Sequence, residues 1–160
     1  MTKYHMVRQD KAITSESEIR KLLAAGRLAS VAMCRKDEPY IITMNYGYDP
    51  DRHVLYFHCG FKGQKLEFIA ANPAVCATVI YDLGYVDGKC EHKYQSLLIR
   101  GSMKIIDDFE EKKHGIEVLM EHQESDADPV RKRNFTTDAD YNKFLILKLD
   151  IMGITGKQSL

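Results

Sequence analysis

Six short runs rich in β-branched, aromatic and other apolar residues most constrain this chain: 28–34, 40–48, 54–58, 74–81, 94–106 and 144–151. Runs of this length, bounded by Gly, Pro, Asp and Asn, read as strands. Polar turns at 35–39 and 49–52 join the first three. Strands linked by short turns pair antiparallel. Three helical segments are interleaved with them. Ser15 and Glu18 form a capping-box pattern ahead of Ile19, Leu22 and Leu23, and Gly26 ends that helix. Leu66, Ile69 and Ala70 follow helical spacing until Asn72 and Pro73. Acidic residues at 107–111 open a third helix, whose apolar face is Ile116, Leu119 and Met120. The expected fold is mainly β with flanking helices: a six-stranded antiparallel sheet closed as a barrel, helices outside. A single domain covers 1–160. Within it 1–13 is an irregular arm, 82–93 a polar loop, 123–140 a long charged excursion and 153–157 a tail. Gly101 interrupts a strand, which marks a bulge or a close approach.

Charge narrows the function classes. Lys and Arg number 23, as do Asp and Glu, so the formal net charge is zero. A general nucleic-acid binder normally carries a basic excess, so no nucleic-acid partner is expected. No apolar run approaches the length of about 18 residues that a membrane-spanning helix needs. The polar N-terminus has no secretory apolar stretch, so a cytoplasmic location is expected. The four cysteines, Cys34, Cys59, Cys76 and Cys90, form no CxxC pair. Reduced, mostly buried thiols are the expectation. Cys90 and His92 fall short of the four ligands of a structural zinc, so no metal site is expected.

The stretch 54–73 carries the chemistry. A strand ends at His58, Gly60 and Gly63 bracket a turn, and a helix starts with Gln64 and Lys65. Lys62, Lys65 and the free N–H groups of a helix start can hold a phosphate. A solvated turn with ordinary lysines is the other reading. Neither Gly-x-Gly-x-x-Gly nor the Walker phosphate loop is present.

Taken in order, several signals resemble a known family. They are 28–32 (Leu-Ala-Ser-Val-Ala), the run 40–48, Tyr56-Phe57-His58, Gly63-Gln64-Lys65, Asn72-Pro73 with Val75, Tyr94 and Ser96 with Gly101, and Thr155-Gly156-Lys157. From about Ile19 to Lys157 the chain resembles the pyridoxamine-phosphate-oxidase-like flavoproteins, in their nitroimidazole-resistance branch. The resemblance implies a Greek-key, six-stranded antiparallel split β-barrel of the FMN-binding type. It also implies a homodimer with one FMN in each of two grooves at the interface. By resemblance, Lys65 contacts the flavin phosphate, within a turn that includes Lys62 and Gly63. Gln64 stands where the oxidases commonly carry arginine, which removes one charge. Thr43, Met44 and Asn45 contact the isoalloxazine ring. Ser96 falls where the oxidases place a glutamine near the flavin, and Thr155 and Lys157 cover the flavin of either subunit. The oxidases' substrate-phosphate residues have no counterpart, so vitamin B6 oxidation is not the expected reaction.

His58 is the candidate catalytic residue, a polar contact or proton donor to a substrate over the flavin. It reads equally as a half-buried histidine satisfied by a backbone carbonyl. Tyr85 and Tyr94 read as core or ring-stacking residues, and Arg131, Lys132 and Arg133 as a solvated loop or a contact to an anion. The implied function is that of an FMN-dependent oxidoreductase. A nicotinamide cofactor or a reduced protein supplies electrons, and a small electron-poor acceptor such as a nitroaromatic takes them. The alternatives are a non-catalytic module that binds flavin or haem, and a dimeric scaffold without a cofactor.

Overall fold

The computed structural model describes residues 6–160. After a 3-10 turn, the elements in chain order are β1 (Ala12–Ile13), α1 (Glu16–Ala25), β2 (Leu28–Arg35), β3 (Glu38–Asn45), β4 (Gly47–Asp49) and β5 (Val54–Cys59). Then come α2 (Gln64–Ala71), β6 (Ala74–Val86), β7 (Glu91–Ile105), α3 (Phe109–Gln123), α4 (Asp128–Asn134) and β8 (Leu145–Ser159), with a second 3-10 turn before β8. One antiparallel sheet holds every strand, in the order β3-β2-β6-β7-β8-β5-β4, with β1 on β8. Strands lying far apart in sequence are neighbours, as in a Greek key.

Tyr46 explains how this sheet becomes a split barrel. The two ends of the strand order, β3 and β4, are consecutive in the chain and are separated by Tyr46 alone. The sheet rolls until its edges meet at that residue. Tyr46 is fully buried, donates its hydroxyl to the Leu23 carbonyl at 2.7 Å, and hydrogen-bonds through its N–H to the Arg27 carbonyl. The rest of β3 has no ladder partner on its outer edge among the described residues. The sheet is therefore not closed, which corrects the expectation of a sealed barrel and matches a split one. It also divides the expected single strand 40–48 in two.

Alternation sorts the side chains. Inward residues of β2, β6 and β7, including Val31, Ala77, Val79, Leu97 and Ile99, are nearly inaccessible and form the barrel core. Leu22 and Leu23 of α1 and Phe68 and Ile69 of α2 join that core. A second apolar cluster lies between β5, β8 and α3, where Val54, Tyr56 and Ile146 meet Ile116, Leu119 and Met120. Gly101 sits at a register shift between β7 and β8, and a Cβ there would come within 2.3 Å of the Asp150 carbonyl oxygen. The sequence reading of a bulge or close approach holds on both counts.

Other boundaries differ from expectation. The 82–93 loop is the far end of a hairpin, with Tyr85 opposite His92 and Val86 opposite Glu91. The tail is strand, since β8 runs to Ser159 beside β7. Part of the arm pairs with β8 as β1, while 1–5 lie outside the described residues. The long excursion carries α4, opened by Pro129 in its first turn, and Arg131 of α4 ties it to Glu117 of α3 at 2.8 Å. No helix of the described residues is long and apolar enough to cross a membrane.

Candidate functional site

The split between β3 and β5 defines a groove. Beyond the Gly47–Tyr56 pair the β4–β5 ladder stops. The next outward residues on the two sides, Asn45 and His58, line one cavity of about 290 Å3. Its remaining wall comes from α3 (Ile116, Leu119, Met120, Gln123) and from Glu124, Phe135 and Phe144. His58 is exposed because it lies just past the part of β5 that α3 covers; Tyr56, two residues earlier, is buried beneath it. The His58 ring meets Phe144 edge-on, centroids 5.8 Å apart. Gln123 fixes the rim: its amide donates to the carbonyls of Tyr46 at 2.7 Å and Arg27 at 3.0 Å, and its oxygen faces the Asn45 amide at 3.5 Å.

From His58 the chain turns through Gly60 and Gly63 into α2. Gly63 is the N-cap, with φ +143°, a conformation that suits glycine. It offers no side-chain acceptor, so α2 begins uncapped; the one bond there runs from the Leu66 N–H to the Gly63 carbonyl. The leading N–H groups are thus left for an external anion. The Lys65 ammonium lies 3.5 Å from where a Cβ of residue 63 would stand, so it sits over the same turn. Lys65 also counteracts the upward push of burial on the Cys59 thiol pKa. Gln64 reaches Glu38 at the start of β3, and Glu38 is held by Arg35 at 2.9 Å. Lys62 is exposed on the turn. The residues present fit a phosphate at this turn: free amides, a cation, and a nearby carboxylate already paired.

The other predicted residues, Met44 apart, fall on the outer face of the sheet. Thr43 and Asn45 face outward, and the Thr43 hydroxyl meets that of Ser30 at 2.7 Å. Met44 points into the core, which leaves only its backbone for the groove. Ser96 lies opposite Lys157, whose ammonium is 6.0 Å from the Tyr94 ring centre. Both stand on the outer face, but β7 is three strands from β3, about 14 Å at the usual spacing. The chain by itself gathers Asn45 with His58, Gly63 with Lys65, and Ser96 with Lys157. It does not bring all three groups together.

That outer face is notably apolar. The pairs Ala32–Ile41, Thr78–Leu98 and Ile80–Ser96 fix Leu28, Ile41, Ile80 and Leu98 on one side. Their exposures are 53, 65, 64 and 39%. Sequence reasoning missed Phe135, Gln123 and Phe144 as cavity residues. The first two lay in the charged excursion, and Phe144 read as an ordinary strand residue. Among the described residues no three His, Cys, Asp or Glu side chains are placed to hold a metal.

The family model described as pyridoxamine 5'-phosphate oxidase matches residues 15–158. The crystal structure of a candidate 5-nitroimidazole antibiotic resistance protein from Bacteroides thetaiotaomicron superposes with a TM-score of 0.77 at 27% identity, over 92% of this chain and 86% of that one. The FAD and haem binding protein of Mycobacterium smegmatis has the same fold, with a TM-score of 0.74 at 21% identity over 93% of this chain and 73% of that one. The uncharacterized protein RA0666 of Rhizobium meliloti is 35% identical over 63 residues, 39% of this chain and 40% of that protein, so the match spans less than half of either.

Proposed function

The chain belongs to the pyridoxamine 5'-phosphate oxidase family, and we propose that it is an FMN-dependent oxidoreductase, working as a cytoplasmic homodimer, that reduces a small electron-poor substrate such as a nitroaromatic. The observation that carries this reading is the split itself. An unpaired edge of β3 runs from the α2 N-terminus to the Asn45–His58 cavity. At about 3.3 Å per residue β3 spans about 23 Å, long enough for an extended mononucleotide. Lys65 and the α2 amides would hold the phosphate, the edge of 43–45 would align the ring, and the cavity beside it would admit the substrate. The likeness to the candidate nitroimidazole-resistance protein supports this substrate class.

FMN, when bound, supplies the electron transfer, fed by a nicotinamide cofactor or a reduced protein. The chain's own residues do the rest. Phe135 and Phe144 exclude water from a flat substrate, Asn45 and Gln123 offer amide hydrogen bonds at its rim, and His58 can donate a proton to the reduced product. Dimerisation completes the site. A second copy laid on the outer face covers Leu28, Ile41, Ile80 and Leu98 and brings its Ser96 and Lys157 toward the groove of the first. The absorbance spectrum of freshly purified protein, with mass spectrometry of the released chromophore, tests the reading. Colourless protein that takes up no FMN on titration defeats it.

A second reading, a haem- or flavin-holding module without turnover, rests on the exposed imidazole of His58 in a mainly apolar cavity. The haem and FAD binding relative supports it. A Soret band on haem addition that is lost in His58→Ala, without flavin turnover, selects it.

A further inference from the structure

A second and larger cavity, of about 740 Å3, opens between α1, the turn joining β4 to β5, and the outer side of α3. It is separate from the groove described above. Val118, Glu121 and His122 face it, whereas Leu119, Met120 and Gln123 face His58 across the helix. Its charges are segregated. Arg20 and Lys21 of α1 and Arg27 just past its end line one side, whereas Asp49 and Asp51 come from the β4–β5 turn and Glu121 from α3. Some of these are already used. Arg20 pairs with Glu16 at 2.9 Å and bonds the Tyr48 hydroxyl at 3.3 Å. Asp49 holds His114 at 2.6 Å, and Glu121 reaches Arg131 at 3.8 Å.

Lys21 and Arg27 on one wall, and Asp51 on the other, have no ion-pair partner among the described residues, although all three line the same cavity. Arg20 crosses to the Tyr48 hydroxyl and the Pro50 carbonyl, each at 3.3 Å, but Lys21 and Arg27 form no ion pair with Asp51, so their charges stand further apart than a salt bridge. Ala24, Val118 and Pro50 give the space between them an apolar lining. A lone anion would answer one wall and leave Asp51 unserved. A ligand with both charges on adjacent atoms could not reach both walls.

We propose that this cleft binds a small elongated zwitterion, its carboxylate or phosphate on Lys21 and Arg27 and its amine on Asp51, with an aliphatic or flat body between. His114, oriented by Asp49, presents its other ring nitrogen as a further polar contact.

The test is calorimetric and NMR titration of the full-length protein at low salt with 6-aminohexanoate, using hexanoate and hexylamine as single-charge controls. The zwitterion is expected to bind about tenfold more tightly than either control, the equivalent of one charge-assisted hydrogen bond. It should shift the His114 ring signals and leave those of His58 in place. Lys21→Glu combined with Arg27→Glu, and separately Asp51→Lys, should each weaken it about tenfold while leaving the thermal midpoint unchanged. Those side chains are exposed, so folding is not at stake. No saturable binding, equal binding of hexanoate, or shifts centred on His58 would each overturn the proposal. None of these outcomes depends on whether flavin binds.

Discussion

The imidazole of His122 locks the end of α3 onto β4: its Nδ1 accepts the backbone N–H of Tyr48 at 3.3 Å, while its Nε2 donates to the Gly26 carbonyl at 2.5 Å. One nitrogen accepts and the other donates, so the ring is neutral. Burial pushes its pKa below the usual histidine value, partly opposed by the Gly26 carbonyl and reinforced by Arg27. The folded-state pKa is depressed, so the unfolded chain takes up the proton first. Stability is full above about pH 6.5 and falls as pH drops below it. His53, lowered by burial and by Arg20, acts in the same direction. His122→Gln is expected to cost about 1–3 kcal/mol near neutrality, because Tyr48 loses a well-placed acceptor. It should also lose less stability than wild type between about pH 7.5 and about pH 5.5. Urea unfolding at the two pH values checks both; an equal or steeper drop in the variant would show that this ring is not a sensor of acid.

Asp49 organises the β4–β5 turn. Its Oδ1 accepts the N–H groups of Asp51 at 3.1 Å and Arg52 at 3.0 Å, and its Oδ2 holds His114 at 2.6 Å. Burial alone would raise its pKa, but the His114 ring and the two amides more than reverse that, so the carboxyl sits below its ordinary value. A depressed carboxylate stabilises the fold above its unfolded pKa, about 3.9, and that contribution disappears as pH falls through the folded value. Asp49→Ala strands two amides and should cost about 3 kcal/mol; Asp49→Asn keeps an acceptor and should cost about half as much. The difference between Asp49→Asn and wild type should shrink in acid, which guanidine unfolding at about pH 7 and about pH 3 resolves.

Local signals wrote much of this fold openly, and failed where tertiary context decides. The cap at Ser15 was visible because a cap needs only its own turn, its side chain accepting the N–H three residues on; the acidic opening at 107–111 was visible too, and the structure makes Asp108 its cap, accepting from the Glu111 N–H. The hairpin at 82–93 was not, because Tyr85 and Leu83 project past the barrel, where no buried face enforces alternation. Gly153 and Gly156 made β8 look like a tail. A Cβ at 156 would meet Ile13 at 2.8 Å, so β1 packs where that side chain would be. The break at Tyr46 has one faint local mark, Gly47, where a Cβ would meet the Leu119 backbone at 2.8 Å. The site divides in the same way. His58, Gly63 and Lys65 lie within eight residues and announce themselves, whereas Gln123, Phe135 and Phe144 reach His58 only through the fold.

The exposed face of β3, β2, β6 and β7 sets a prediction about assembly. Ile80 is 64% exposed at its centre, directly opposite Ser96. If a second copy covers this face, Ile80→Lys buries an unpaired charge and should raise the dimer dissociation constant by about a hundredfold or more. In a monomer the same residue is a surface position, and the change should alter stability by less than about 0.5 kcal/mol. Sedimentation across a concentration series, paired with a thermal melt, separates the outcomes. A wild-type monomer, or a variant that stays dimeric, would remove the partner's Ser96 and Lys157 from the proposed site.

Lys65→Ala tests the anchor directly. Its ammonium lies over the Gly63 turn beside amides that no side chain caps. Losing one charge-assisted hydrogen bond of about 1.5–3 kcal/mol predicts FMN binding weakened about ten- to a hundredfold. Riboflavin, which has no phosphate, should bind wild type and variant alike. Lys62→Ala, exposed further from the helix start, should weaken FMN less, and raised salt should erase the Lys62→Ala loss first, widening the gap between the two variants. Quenching of flavin fluorescence on titration measures all of these. Equal FMN affinity in wild type and Lys65→Ala would mean that the phosphate docks elsewhere.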